Sequence, residues 1–343
     1  MAHLQPTMGG VRLSTAGRRS VLVGIAVTLV IVTVVVPRTA SMRVVHNVAA
    51  AVRGLPARLG LPAVVPAPTH LQRPPSPMFS VDLSRSSFAL PFSAQTCVGY
   101  RPTHGDNHHI VFVDPGHGGI DGGAGGVSPA GPVDEKTLLL QEAPVVTEAL
   151  RAQGYTVIVS RLSDTTMAVL PPSMLDPAGG GMTVDGVHAD LSARDVCANS
   201  AGAEVLVNLH LDSGGGGSEG PMTFYDDART FTSDNRRLAT DIQRGVVTSL
   251  IAAGHQVTDN GILSDSEINA PTMSAADAAY GHFLELGPAS PGLVDHPSTM
   301  PGVIAEVLYI SDPGDVAIIT SAEGRAAIAA GIVSGLGRYF GGA

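Results

Sequence analysis

The stretch "IVFVDPGHGGIDGGAGG", Ile110 to Gly126, decides how the rest of the chain is read. It holds two aspartates, a proline, a histidine and seven glycines behind an apolar run. Ile110, Val111, Phe112 and Val113 are β-branched or aromatic and are closed by Asp-Pro-Gly, the pattern of a buried strand running into a turn. A histidine just past such a strand sits at the rim of a sheet, where α/β proteins place their chemistry. The glycines let the backbone approach whatever that histidine touches.

A helical pattern follows in "DEKTLLLQEAPVVTEALRAQGYTVIVSR". Leu138, Leu139, Val145, Val146, Ala149 and Leu150 recur at helical spacing, Pro144 is expected to kink or reset the helix, and a strand follows from Tyr155 to Ser160. This β-loop-α-β unit implies an α/β fold with a mostly parallel, twisted sheet flanked by helices. A Pro/Gly-rich insertion then leads to a short helix over "LSARDVCANSAGA" and the strand "EVLVNLHLDS". There a second histidine, His210, again runs off a strand into glycines. Downstream, "GPMTFYDD" and "GHFLELGP" read as strands and "DNRRLATDIQRGVVTSLIAAG" as an amphipathic helix. The chain closes on the strand "GVIAEVLYI", a turn capped by Asp312 or Asp315, and a long helix. Glu306 interrupts that last strand, and a lone carboxylate there is expensive unless it faces a polar cleft or a metal.

Composition narrows the function. The chain has 343 residues and a formal net charge of −10, with 4% aromatics, no Trp, 41 Gly and 25 Pro. No basic stripe is present, which argues against a nucleic-acid partner. Near the N-terminus, Arg18 and Arg19 precede an uncharged apolar run from Val21 to Val36 that Pro37 and Arg38 end. The expected organisation is a cytoplasmic segment (1–20), a transmembrane anchor or signal core (21–37), a Pro-rich extracytoplasmic linker (38–109) and a catalytic domain (110–343). The protein is therefore expected to be exported, membrane-anchored or facing the periplasm or cell wall, and to act as a monomer. Cys97 and Cys197 are its only cysteines. In an exported chain they suggest one disulfide, with two buried thiols as the alternative. The run "HGDNHH" (His104 to His109) reads as a solvated loop.

His117, Glu135, His210 and Glu306 all fall at strand-loop or loop-helix junctions. Two histidines and one carboxylate make a catalytic zinc set, leaving a position for water, and a further carboxylate is needed to move that water's proton. The fragments "VFVDPGHGG", "DEKTLLL", "VNLHLDS" and "MPGVIAEVLYISDPGDVAIIT", in this order, resemble the type-3 family of N-acetylmuramoyl-L-alanine amidases, zinc hydrolases that cut peptide stems from peptidoglycan. The resemblance spans about Ile110 to Phe340. Arg161 and "DNGILSD" (Asp259 to Asp265) match further.

The resemblance implies Zn²⁺ held by His117, Glu135 and His210 at the carboxyl rim of the sheet, with Glu306 as catalytic acid-base. The substrate would be peptidoglycan or muropeptides. "ELGPAS" offers Glu285 as a competitor for Glu306, and Asp134 adjoins Glu135. Asp114 is expected to orient the first histidine or an adjacent loop. His188, His255, His282 and His296 are expected at the surface. A catalytically silent peptidoglycan-binding or regulatory relative, or a zinc peptidase of other specificity, are the alternative readings.

Overall fold

The computed structural model describes residues 79–341 apart from 177, 179 and 269–273. The expected cytoplasmic segment, the apolar 21–37 segment and the linker up to residue 78 lie outside the described residues. The chain order is β1 (Phe79–Ser80), β2 (Thr96–Tyr100), β3 (Ile110–Pro115), β4 (Gly125–Ser128), β5 (Gly131–Asp134), α1 (Glu135–Ala152), β6 (Thr156–Arg161), β7 (Leu175–Asp176), β8 (Gly181–Met182) and α2 (Val184–Ser200). It continues with β9 (Val205–Asp212), β10 (Met222–Tyr225), α3 (Thr232–Ala252), β11 (Ile262–Ser264), α4 (Ala275–Tyr280), β12 (Gly302–Tyr309), α5 (Pro313–Thr320) and α6 (Ala322–Gly341).

Eight strands form one sheet in the order β1-β2-β6-β3-β9-β12-β10-β11. The four central strands β6, β3, β9 and β12 are parallel. β2 and β10 flank them antiparallel. From β3 the chain crosses to β6 on one side, then returns to β9 on the other. The strand order thus reverses between β3 and β9, and the carboxyl ends of strands at such a switch point are where α/β sheets bind ligands.

Alternation assigns the faces. Val111 and Val113 of β3, Val205, Val207 and Leu209 of β9, and Val303, Ala305 and Val307 of β12 point into the larger core. Leu139, Val146 and Leu150 of α1, Leu238 and Ile242 of α3, and Ile328 and Ile332 of α6 close over it. Gly245 of α3 faces Gly331 and Gly335 of α6, and a Cβ there would strike the partner backbone. The other face receives Phe112, Ile158, Leu206 and Ile304, covered by Ala193, Cys197 and Ala198 of α2. Asp114, Asn208, His210 and Glu306 alternate onto this second face.

Several expectations change. The folded unit begins well before Ile110: β1 and β2 lie inside the stretch expected as linker, and Val98 and Tyr100 are buried in the core. α1 runs unbroken through Pro144, because the buried apolar face of α1 outweighs one missing hydrogen bond. α2 starts at Val184, seven residues before the short helix expected, with Thr183 accepting from Gly186 N at its first turn. Its buried face includes Asp190, Arg194 and Asp195, so apolar periodicity under-reported it. "GHFLELGP" forms no strand: Leu286 N and Gly287 N turn back onto the Phe283 carbonyl. At the last turn Asp312 is the cap, accepting from Asp315 N at 2.9 Å, while buried Asp315 accepts from Gly220 N and Tyr309 N.

Cys97 on β2 and Cys197 on α2 are bridged, with Cα atoms 5.7 Å apart and a sequence separation of 100. A cross-link closing so long a loop stabilises chiefly by constraining the unfolded chain. Replacing both cysteines by serine is predicted to lower unfolding stability by about 2–5 kcal/mol, read from urea midpoints of the oxidised chain. An unchanged midpoint contradicts this.

Candidate metal centre

β3 delivers His117 two residues past its end, and the backbone there is held in an unusual conformation. His117 has φ +60°, and Gly118 and Gly119 follow at +129° and +62°. A non-glycine residue in the left-handed region is costly and persists only where its surroundings over-determine it. Two buried guanidinium groups supply that determination. Arg161, at the end of β6, donates to the carbonyls of Pro115 (3.0 Å), Gly116 (2.8 Å) and Lys136 (3.1 Å). Arg194, on α2, donates to the His117 carbonyl (2.7 Å), to Asp114 Oδ1 (2.6 Å) and to Asp190 Oδ2 (2.9 Å). Burial and the neighbouring Arg194 push Arg161 down to about 10, still charged at neutral pH. Burial works against the charge of Arg194 too, but Asp114 and Asp190 outweigh it and hold its proton more tightly. Outside, Lys136 Nζ donates to the Gly119 carbonyl (2.6 Å) and to Asp164 Oδ2 (3.0 Å), while Gly119 N donates to Asp164 Oδ1 (2.7 Å).

Glu135 opens α1 and is almost wholly buried. Its Oε2 accepts from Ala124 N at 2.9 Å and lies 3.1 Å from His117 Nε2. Its Oε1 accepts from Leu211 N at 2.9 Å and lies 3.0 Å from His210 Nδ1. Asp134 is exposed on the preceding β5 and makes no side-chain cap bond. His210 arrives from β9 with its ring edge-on to His117, centroids 4.8 Å apart. The glycines are needed for clearance. A Cβ on Gly123 would lie 2.6 Å from Glu135 Oε2 and from His117 Cδ2, and one on Gly116 would enter the His210 ring.

One ligand atom from each of His117, Glu135 and His210 falls within 4.8 Å of the others. Two imidazole nitrogens and one carboxylate oxygen suit a zinc-class cation and leave a coordination position for water. Without a cation, burial opposes the charge on His117, but its hydrogen bonds to Asp121 and Glu135 dominate and raise its pKa to about 10. Burial likewise opposes the charge on Glu135, yet its bonds to the two histidines drive that carboxyl far below the usual range. A cation must therefore displace a proton held on His117, so affinity rises with pH.

Glu306 pairs in register with His210 on the neighbouring parallel strand. Its Oε2 is buried without a hydrogen-bond partner. Burial, then the carboxylates of Glu135 and Asp212, push its pKa up. Glu285 does not join this group. It lies under α2, accepting from Asn208 Nδ2 at 2.9 Å, and burial and Asp114 push its pKa well up.

Asp114 takes the second of its two expected roles, and four histidines depart from expectation. Asp114 acts on the loop and not on the ring: it bonds Arg194, which holds the His117 carbonyl, and the acceptor on His117 Nδ1 is Asp121 Oδ2 at 2.8 Å. Asp121 sits four residues after His117 in the glycine loop, and that spacing is the only trace it leaves in the sequence. His188, His255, His282 and His296 are all partly buried rather than at the surface; His282 faces Asp226, His188 faces Asp277, and His296 packs against Phe88. The "HGDNHH" run forms no metal group among the described residues: His109 stacks on Phe340 at 3.9 Å and reaches Glu204.

An acceptor on the far nitrogen of a ligating histidine fixes its tautomer and orientation, and removing one typically costs 10–100-fold in affinity. Asp121→Asn is therefore predicted to weaken binding of added Zn²⁺ at this group by ~10–100-fold, read by zinc titration of metal-stripped protein. Unchanged zinc affinity contradicts this role.

The chain matches the N-acetylmuramoyl-L-alanine amidase family over residues 111–338. It is 28% identical over 235 residues to a germination-specific N-acetylmuramoyl-L-alanine amidase of Bacillus subtilis, covering 67% of this chain and 79% of that protein. It is 25% identical over 237 residues to an N-acetylmuramoyl-L-alanine amidase of Escherichia coli, covering 67% and 76%. Among solved structures, the N-acetylmuramoyl-L-alanine amidase of Clostridium difficile 630 superposes with a TM-score of 0.48 at 26% identity, covering 69% of this chain and 99% of that one. The family match spans the glycine loop, His117, His210, Glu135 and Glu306, and the chain belongs to the N-acetylmuramoyl-L-alanine amidase family.

Proposed function

We propose that this chain hydrolyses the amide bond between N-acetylmuramic acid and L-alanine of peptidoglycan, with one Zn²⁺ held by His117, Glu135 and His210 and with Glu306 as acid-base. The single observation that carries this reading is the convergence of those three ligand atoms beside an unpartnered carboxylate oxygen of Glu306, in a chain of this family. A zinc ion in such a set lowers the pKa of a bound water toward neutrality and stabilises charge developing on the scissile carbonyl oxygen.

The chain's own residues do the rest. Glu306 takes a proton from the attacking water and delivers it to the departing alanine nitrogen. Its buried position next to Glu135 and Asp212 favours the protonated form needed for delivery. Cationic charge among the three ligands acts in the opposite sense and favours the carboxylate that receives the proton. Asp121 holds His117 in one tautomer, and the two arginines hold its backbone. The site sits at the carboxyl rim between β3 and β9, open to a substrate that is part of a large polymer.

The same reading places the chain outside the cytoplasm, where a disulfide persists. It casts residues 21–37 as a membrane anchor or signal core and the protein as a monomer. Among the described residues no single helix is long and apolar enough to cross a membrane.

The test separates the two glutamates. Glu306→Gln keeps the volume and is predicted to bind zinc normally while losing turnover by ~10²-fold or more. Glu285 lies on Asn208, apart from the three ligands, and Glu285→Gln keeps its volume, so that variant is predicted to retain most activity. The readout is release of peptide with a free N-terminal L-alanine from muropeptide, alongside zinc content. Full activity in Glu306→Gln overturns the assignment. Wild-type protein that binds zinc and muropeptide yet releases no peptide establishes the silent-binder reading instead.

A further inference from the structure

At the opposite end of the sheet a second group of ligating side chains converges. β10 and β11 are adjacent and parallel, with Tyr225 paired to Ser264. The residue after each strand is an aspartate, so register alone brings Asp226 and Asp265 side by side. Both are fully buried. β10 runs antiparallel to β12, so this pair lies at the amino end of β12, away from the rim that carries His210 and Glu306.

Each aspartate has one oxygen occupied by backbone. Asp226 Oδ1 accepts from Ala228 N and Arg229 N, both at 2.8 Å, and Asp265 Oδ2 accepts from Phe283 N at 3.1 Å. The remaining oxygens, Asp226 Oδ2 and Asp265 Oδ1, face His282 Nδ1 at 2.9 and 3.4 Å. His282 is brought in behind α4 by Gly281, whose φ of +72° turns the chain. One imidazole nitrogen carries at most one proton and satisfies one acceptor. Asp226 Oδ2 makes no hydrogen bond, although it is fully buried and aimed into the group. Two buried carboxylate oxygens turned toward each other and toward a single nitrogen leave charge uncompensated, which a low-dielectric interior penalises heavily.

A divalent cation resolves this arrangement, because it pairs with all three atoms at once. Those atoms lie within 4.8 Å of one another. We infer that Asp226, Asp265 and His282 form a second metal site, taking a borderline divalent cation of the zinc or manganese class through two carboxylate oxygens and one imidazole nitrogen. The site is closed and has a structural role. It ties the segment that follows β11, which carries Glu285 and covers the second face of the sheet, to the ends of β10 and β11.

Metal stoichiometry tests this without reference to activity. Purified full-length chain is saturated with Zn²⁺, freed of loosely bound ion by gel filtration, and analysed by mass spectrometry for metal per chain. His117→Ala/His210→Ala removes the first site and is expected to retain about one ion per chain. Adding Asp265→Asn to that variant is expected to bring the content to about zero. His282→Gln, a milder change at the rim of the group, is expected to do the same and guards against loss of folding in the aspartate variant. Added zinc is also expected to raise the melting temperature of the His117→Ala/His210→Ala protein, and to leave it unmoved once His282→Gln is added. No bound ion in the His117→Ala/His210→Ala protein overturns the inference and leaves the cluster as a proton-sharing His-Asp-Asp group. An ion that survives both Asp265→Asn and His282→Gln overturns it as well.

Discussion

Two guanidinium groups buried side by side, Arg161 and Arg194, hold the carbonyl oxygens of Pro115, Gly116 and His117. A loop of glycines has no intrinsic shape, and His117 occupies a region of backbone space that such a loop would leave at once if it were free. The arginines replace the missing local preference with five directional donors each. Their own burial is tolerable because each guanidinium is hydrogen-bonded in turn, Arg194 to two carboxylates and Arg161 to a ring of carbonyls. Removing one partner of a buried ion pair such as Arg194–Asp114 typically costs about 3–5 kcal/mol, so the clamp binds the site to the stability of the whole domain.

The clamp also explains the distribution of roles across the fold. Arg161 ends β6 and Arg194 lies on α2, so the strand and the helix on either side of the crossover to β9 both grip the loop after β3. The reversal of strand order between β3 and β9 then sets His210 opposite His117. Glu135, at the first turn of α1, closes the group from the larger core's side. Its two oxygens each take one backbone N–H, so the carboxylate cannot rotate away from either histidine. Small residues finish the geometry: side chains at Gly116 and Gly123 would occupy the space the ligands use.

Much of this was legible in the sequence, and for physical reasons. The β3-α1-β6 unit follows from residues whose spacing matches their structure, and a histidine or glutamate at an element junction is a strong signal because junctions at a sheet rim are where side chains leave the core. Glu306 stood out because a carboxylate inside an apolar strand requires an explanation. The misses share a cause. α2 buries Asp190 and Arg194, so a search for apolar periodicity saw only its second half. "GHFLELGP" carries the alternation of a strand, but αL Gly281 and the bonds back to the Phe283 carbonyl fold it into a turn. Asp114 reaches the loop and not the His117 ring because its partner is Arg194, eighty residues away in sequence. Polar partnerships of this range leave no periodic trace.

The central claim is that the clamped glycine loop and the strand reversal build one cation site from His117, Glu135 and His210. Anomalous diffraction from crystals of the zinc-loaded chain, recorded on both sides of the zinc absorption edge, tests it most directly. The account predicts a zinc peak bounded by His117, Glu135 and His210, with Arg161 and Arg194 still bonded to the carbonyls of residues 115–117. Crystals grown at saturating zinc that show no ion among those three side chains would contradict it.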